Sequence, residues 1–302
     1  MANELLGHSE TAVAGCAHDL RPKSLRCHCL SSLPVLEWEI IGWNPTVRRE
    51  FGYPRNVPDR LIYLTGAASR SKDGSRLLGG LLRYLETQAD LVDTAEGSYR
   101  ANSDGSALPY DRDDTSQPLA ASVQAVSSVL GWHRRAVAPF GKLHLIGWSL
   151  GGAVLFEAAA RLVESDPSWR GAFGAIVTFS SPINGCDLDG YEDLGAIAAG
   201  VAGRELCRRA ADPTFRDRVR ASASLLRASG VRLLTLGSSE DVIVTAADSI
   251  VPPPGESPDR YTLRPKPRLG ADVAERTFGH GAILDDPKAW RMALAAVRED
   301  DV

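Results

Sequence analysis

The chain has 302 residues, 44% of them apolar and 24% charged, a balance that suits a soluble globular protein with one substantial core and excludes membrane-spanning and disordered classes. A formal net charge of -4 supplies no basic excess, so nucleic acid and other polyanions are excluded as expected partners. The length allows one α/β domain or two smaller ones.

The five cysteines, Cys16, Cys27, Cys29, Cys186 and Cys207, are odd in number and unevenly spread, which is not a disulfide framework. The N-terminus has no basic region followed by an apolar run. Neither a secretory signal nor a stable membrane anchor is expected, and the cytoplasm is the expected location. Val13-Ala14-Gly15-Cys16 has the form of a lipoprotein cleavage box but lacks the apolar stretch such a box needs. Residues 1–33 show neither helical nor strand period and read as a loosely ordered extension before a folded domain over 34–302. Cys16, His18, Cys27, His28 and Cys29 are metal-ligand types without zinc-knuckle spacing, so no metal or other cofactor is called for.

Leu36–Trp43 alternates well enough to start a sheet, with Pro34 and Pro45 closing its ends. Asp59 to Ala68 is an apolar run that ends in Gly and small residues, the way a buried parallel strand enters a functional loop. A helix is expected over Leu77–Glu86, a short strand over Asp90–Asp93 and a long polar surface loop over residues 96–117. Pro118 opens an amphipathic helix whose stripe is Leu119, Val123, Val126, Leu130 and Ala136. Then come a strand at Lys142–Ile146, a tight turn over Gly147–Gly152 and an alanine-rich helix over Ala153–Val163. Further strands are expected at Ala175–Ser180 and Val231–Leu236, with helices between them and a final helix over Pro287–Val297. Strands alternating with helices of this length predict an α/β fold: a mostly parallel central sheet with helices on both faces.

Gly147-Trp148-Ser149-Leu150-Gly151 is G-x-S-x-G set between a predicted strand and a predicted helix. A serine at the apex of such a turn exposes its hydroxyl while the neighbouring amides point into the same space. The flanking glycines make room for the crowded backbone. The unpaired N–H groups and positive dipole end of the following helix favour the negative charge that develops in attack, which makes the Leu150 amide one oxyanion-hole donor.

On this motif the sequence resembles the α/β-hydrolase superfamily, in particular its serine esterases and triacylglycerol-lipase-like members. The likeness spans residues 60 to about 298. The resemblance implies the order Ser, Asp or Glu, His. Of the six histidines, His8, His18, His28, His133, His144 and His280, only the last follows Ser149. His280 is therefore the implied base. For the acid, Asp241 follows a predicted strand in Ser239-Glu240-Asp241-Val242-Ile243-Val244, similar to the Asp-then-valine pattern of lipases and esterases; Glu240 and Asp248 are its rivals. The second oxyanion donor comes, by resemblance, from the loop after the early strand. Thr65-Gly66-Ala67 stands there where many lipases have His-Gly-x, nominating Ala67. Ser180-Ser181-Pro182-Ile183-Asn184-Gly185 is similar to the Pro-His-x-Gly turn of lipase-like members, with Ile183 in place of the histidine and no function assigned.

The resemblance also implies a small helical lid insertion over 187–229, where Leu194–Ala199 and Ala221–Leu226 are partly apolar; core packing accounts for that face equally well. Trp148 either walls the acyl pocket or packs beneath it. The expected activity is a serine hydrolase acting on a carboxylic ester, a lipophilic one, through an acyl-enzyme. The alternatives are a thioesterase or acyltransferase with the same three residues, for which a carrier-protein partner becomes relevant, and a hydrolase-fold binding protein without turnover. The expected partner is otherwise a small-molecule acyl ester or thioester. Carboxylate-nucleophile chemistry is disfavoured because the elbow carries serine.

Overall fold

Among the described residues six parallel strands form one sheet: β1 (Arg60–Leu64), β2 (Asp93–Glu96), β3 (Leu143–Trp148), β4 (Phe173–Phe179), β5 (Arg232–Ser238) and β6 (Thr262–Leu263), in the spatial order β2-β1-β3-β4-β5-β6. The computed structural model describes residues 59–89, 93–137, 141–187, 192–266 and 279–298, with side chains from 199 onward in the fourth of these segments. The expected extension over 1–33, its Cys/His cluster and the expected Leu36–Trp43 strand lie outside the described residues.

Side chains alternate along each strand, so the sheet feeds two cores. Ile62, Leu64, Leu143, Leu145, Ile176 and Leu233 face one, and Leu61, Tyr63, Ile146, Val177, Phe179, Leu234 and Leu236 face the other. Because both faces are covered, the strands read as nearly continuous apolar runs, which is why the sequence marked them. The first core takes α3 (Leu119–Val137), α4 (Leu150–Ser165) and α6 (Pro213–Ala228); the second takes α2 (Gly79–Gln88) and α8 (Pro287–Arg298). Full burial of each leucine or valine in these stripes contributes roughly 1.5–3 kcal/mol. The architecture is the predicted one, a parallel sheet with helices on both faces.

Several boundaries differ from expectation. The second strand starts at Asp93 and runs to Glu96, because the residues that pair with β1 are Asp93 to Glu96. The helix expected from Leu77 is two pieces, α1 (Asp73–Leu77) and α2. In α3 it is Val137, not Ala136, that is buried, so the stripe turns by one position at its end. The turn expected over Gly147–Gly152 is far tighter: β3 continues through Trp148 and α4 begins at Leu150, leaving Ser149 alone between them. The segment 96–117 is not simply a surface loop, since Ser98, Tyr99, Tyr110 and Thr115 within it are buried.

In the stretch expected as a lid, α5 (Glu192–Ala211) breaks at Gly200, whose φ of 55° is open to glycine. Val219, Ala223 and Leu226 of α6 and Ala202 and Leu206 of α5 all join the first core. Glu205 of α5 accepts a hydrogen bond from the Leu119 amide at 2.9 Å, setting a carboxylate at the positive end of α3.

The chain path places the site. From β1 it moves through α2 to β2 on one side, then returns through α3 to β3 on the other side of β1. Between β1 and β3 the strand order reverses, and loops leaving the carboxyl ends of these neighbours must diverge and leave a crevice.

Candidate active site

Ser149 sits at the carboxyl end of β3 with φ 55° and ψ −135°, a conformation a non-glycine residue holds only where its surroundings enforce it. Its amide donates to Phe179 O at 3.0 Å, and the Gly152 amide donates back to Ser149 O at 3.1 Å. The turn leaves no space for side chains on its glycines. A Cβ on Gly147 would strike the Gly152 backbone, and one on Gly151 would strike the carbonyl oxygens of Leu64 and Thr65. Ser149 occupies the N-cap of α4, where a serine hydroxyl ordinarily accepts from the helix amides, yet it makes no such bond. Its Oγ is instead 2.8 Å from Nε2 of His280.

His280 lies just after Gly279, and its Nδ1 is 2.7 Å from Oδ2 of Asp241. Gly279 has φ 64°, and a Cβ there would collide with the Glu240 carbonyl, so only glycine lets the histidine loop lie against the loop after β5. The Asp241 side chain is fully buried, and its Oδ1 accepts from the amides of Ile243 at 2.9 Å and Val244 at 3.0 Å. An ionised carboxylate can only accept, so the proton of a neutral His280 lies on Nδ1 and the Nε2 lone pair faces the serine.

The two rival carboxylates sit elsewhere. Glu240 is exposed and accepts from Ser239 Oγ at 3.1 Å. Asp248 forms a capping box with Thr245 at the start of α7 (Ala246–Ser249), and burial pushes its carboxyl above the usual carboxylate range.

Of the two nominated residues, Leu150 follows Ser149 directly and Ala67 follows Gly66, which packs against the serine. Leu150 is the first residue of α4, where a helical N–H has no partner within the helix. Gly66 is so close to the elbow that a Cβ on it would lie 2.5 Å from Ser149 Cβ and 2.8 Å from Oγ, and Ala67 is the next residue. Thr65, just before Gly66, is wholly buried.

Sequence reasoning missed the supports of the site. Trp148 packs against the second core and also supports the base: its Nε1 donates to His280 O at 3.2 Å and its ring lies 5.1 Å from the imidazole. In the Ser180–Gly185 turn, Asn184 Nδ2 donates to Ala247 O at 2.9 Å and Ile250 O at 3.1 Å, and the thiol of Cys186 donates to Ile243 O at 3.1 Å. Together they staple the Asp241 loop to the end of β4. Tyrosines in an otherwise polar segment, Tyr99 and Tyr110, were a signal that part of it turns inward.

Among the described residues no group of three His, Cys, Asp or Glu side chains is arranged to hold a metal ion, and no helix is long and apolar enough to cross a membrane. His133 and His144 are buried in pairings with Arg60 and Asp59.

No protein-family model matches the chain, and no curated protein matches it. Among solved structures, lipases and esterases are similar to it. Lipase B of Aspergillus fumigatus is 15% identical over 82% of this chain and 54% of that one, with a TM-score of 0.46, so this chain spans about half of that lipase. The metagenomic carboxyl esterase MGS0156 is 15% identical over 83% of this chain and 80% of that one, with a TM-score of 0.47. Est1E from Butyrivibrio proteoclasticus, solved with ferulic acid bound, is 13% identical over 81% and 89%, with a TM-score of 0.46. Identities this low leave the chemistry of the site to this chain's own side chains. The parallel sheet in the order β2-β1-β3-β4-β5-β6, helices on both faces and a serine elbow after β3 make this an α/β-hydrolase fold.

Proposed function

We propose that the protein is a serine hydrolase that cleaves a small-molecule carboxylic ester through an acyl-enzyme. Ser149 is the nucleophile, His280 the general base and acid, and Asp241 the residue that orients the imidazole. The observation that carries this reading is the unbroken hydrogen-bonded chain Ser149 Oγ, His280, Asp241, with contacts of 2.8 and 2.7 Å at the strand-order reversal of the sheet.

The chemistry follows from the proton positions. Nε2 of His280 takes the hydroxyl proton as Oγ bonds to the acyl carbon, and the carbonyl π electrons move onto oxygen. The resulting oxyanion is met by the amides of Leu150 and Ala67, which are fixed before the reaction begins. Collapse breaks the bond to the leaving alkoxide, which receives the proton from Nε2. Water then repeats the sequence on the acyl-enzyme and restores Ser149. Asp241, held by two amides, keeps Nδ1 protonated throughout and offsets the charge of the imidazolium.

A fluorophosphonate probe tests the reading directly. The full chain is expected to label and Ser149→Ala is not; absence of labelling in both would favour a binding protein without turnover. Asp241→Asn is expected to lower kcat by about ten-thousandfold and Glu240→Gln to leave it within about twofold. A panel of p-nitrophenyl esters and acyl thioesters, with and without an acyl-acceptor alcohol, separates esterase from thioesterase and acyltransferase. Turnover confined to thioesters would bring a carrier-protein partner forward.

A further inference from the structure

Three consecutive peptide groups beside Ser149 are each held by one buried hydroxyl. Tyr99 donates to Thr65 O at 2.6 Å, Ser69 Oγ donates to Gly66 O at 2.6 Å, and the Ala68 amide donates to Thr115 Oγ1 at 3.0 Å. Ala68 has φ 58°, a left-handed conformation that this anchoring maintains in a residue other than glycine. The middle one of these groups carries the amide of Ala67.

The hydroxyls behind Ser69 have a fixed direction. Thr65 Oγ1 donates to Ser69 Oγ at 3.0 Å and lies 3.1 Å from the Tyr110 hydroxyl. Threonine has a single proton, which Ser69 receives, so the chain runs from Thr65 to Ser69 to Gly66 O with both protons pointing the same way. The Tyr110 hydroxyl donates to Glu96 Oε1 at 3.4 Å and packs against the Thr65 hydroxyl. Burial pushes Tyr110 up to about 12 and Tyr99 well above its ordinary value, so both remain donors across the working pH range. Thr65, Ser69, Tyr99 and Tyr110 are all nearly inaccessible to water.

The end of this chain matters because Gly66 C=O and Ala67 N–H belong to one peptide group. A hydrogen bond accepted by the oxygen draws electrons out of the C–N bond and makes the N–H at its other end a stronger donor, and aligned hydroxyls strengthen one another. We propose that Ser69, fed by Thr65, is a positioning residue that aims and polarises the Gly66–Ala67 peptide, so that Ala67 N–H meets the oxyanion already oriented. This rests on the serine-hydrolase reading of the site. It also gives the fully buried Thr65 hydroxyl a role, as the head of the local relay.

The test compares Ser69→Ala, Ser69→Thr, Thr65→Val and Thr65→Ser in the full chain. The measurements are kcat and KM on p-nitrophenyl butyrate, the inhibition constant of phenylboronic acid, which forms a tetrahedral adduct with the serine, and the thermal midpoint. Ser69→Ala is expected to lower kcat about ten- to a hundredfold with KM within about twofold, and to weaken phenylboronic acid in proportion, because the lost interaction serves the tetrahedral state alone. Thr65→Val, which keeps the shape, is expected to lower kcat about three- to tenfold. Ser69→Thr and Thr65→Ser retain the hydroxyls and are expected to recover most of the activity. Wild-type kcat in both Ser69→Ala and Thr65→Val overturns the proposal. So does a kcat loss that follows the thermal midpoint while phenylboronic acid binds as before. If Ser149→Ala turns over undiminished, the hydrolase reading falls and takes the proposal with it; a dead Ser149→Ala beside an unimpaired Ser69→Ala overturns the proposal alone.

Discussion

Trp148 and His280 hold each other across the site: the indole Nε1 donates to the backbone carbonyl of His280 at 3.2 Å, and the two rings stand 5.1 Å apart, tilted by 37°. The residue before the serine thus fixes the loop that carries the base, and the two ends of the 2.8 Å Ser149–His280 contact share one support. Trp148→Phe keeps an aromatic face but deletes the donor. It is expected to lower kcat about tenfold with little change in KM, since a small displacement of the base misaligns proton transfer without touching substrate. Steady-state kinetics on a p-nitrophenyl ester decides it, and an unchanged kcat would remove Trp148 from the positioning machinery.

Gly66 tests the packing between the β1 loop and the elbow. Its absent side chain would lie 2.5 Å from Ser149 Cβ, closer than real Cβ contacts, and the serine cannot yield because its own backbone is fixed between β3 and α4. Gly66→Ala is expected to cost about 1–3 kcal/mol of stability and to reduce kcat/KM at least about a hundredfold by displacing either the hydroxyl or the Ala67 amide. Denaturant unfolding and kinetics measured together would show it; a variant of wild-type stability and activity would mean the loop repacks freely.

The parts of the fold that the sequence made legible are those with a period. Buried strands such as Leu143–Trp148 and Phe173–Phe179 are nearly unbroken apolar runs, and the stripe of α3 repeats at helical spacing. Ser149 was legible because glycines are required on both sides of it, and His280 because no other histidine follows the serine. What stayed hidden depends on hydrogen bonds between distant residues. Nothing local in Tyr99 or Tyr110 tells that their hydroxyls reach Thr65, 34 and 45 positions away. Likewise, the carboxylate at Asp248 differs from that at Asp241 only in which amides and hydroxyls the folded loops present to it.

Cys186 provides a test of how tightly the Asp241 loop is closed. Its thiol is buried against Ile243 O and pushed up to about 12 by desolvation and by nearby carboxylates. At pH 8 about one molecule in ten thousand carries the reactive thiolate. Iodoacetamide is therefore expected to leave Cys186 unmodified in the native protein and to alkylate it fully in guanidinium, as read by peptide mass spectrometry. Rapid native alkylation would show that the loop holding the Ile243 and Val244 amides opens readily.

His133 sets a pH dependence with a definite sign. It is 4% exposed at the inner face of α3, and burial together with the Arg60 guanidinium lowers its pKa to about 4, against a partial upward pull from Asp93. Arg60 NH1 lies 3.2 Å from its Nδ1, and arginine can only donate, so this nitrogen accepts and the ring is neutral. Arg60 is also paired with Asp93 at 2.6 Å, and the Trp132 ring covers the imidazole edge-on at 5.0 Å. Unfolding returns the histidine to an ordinary pKa near 6.5, so the unfolded chain binds more protons than the native one between about pH 6.5 and 4. The stability that depends on neutral His133 is accordingly present in full above about pH 6.5 and is lost as pH falls toward 4, by up to about 3 kcal/mol. Glu96 and Asp248, whose carboxyls burial raises, contribute with the opposite sign in acid, which makes the comparison between variants necessary. His133→Gln offers an amide oxygen to Arg60 but cannot titrate. Urea unfolding at pH 7 and at pH 5 is expected to show a smaller loss in His133→Gln than in the wild type, and equal losses in the two would mean that His133 is protonated in the folded protein at pH 5.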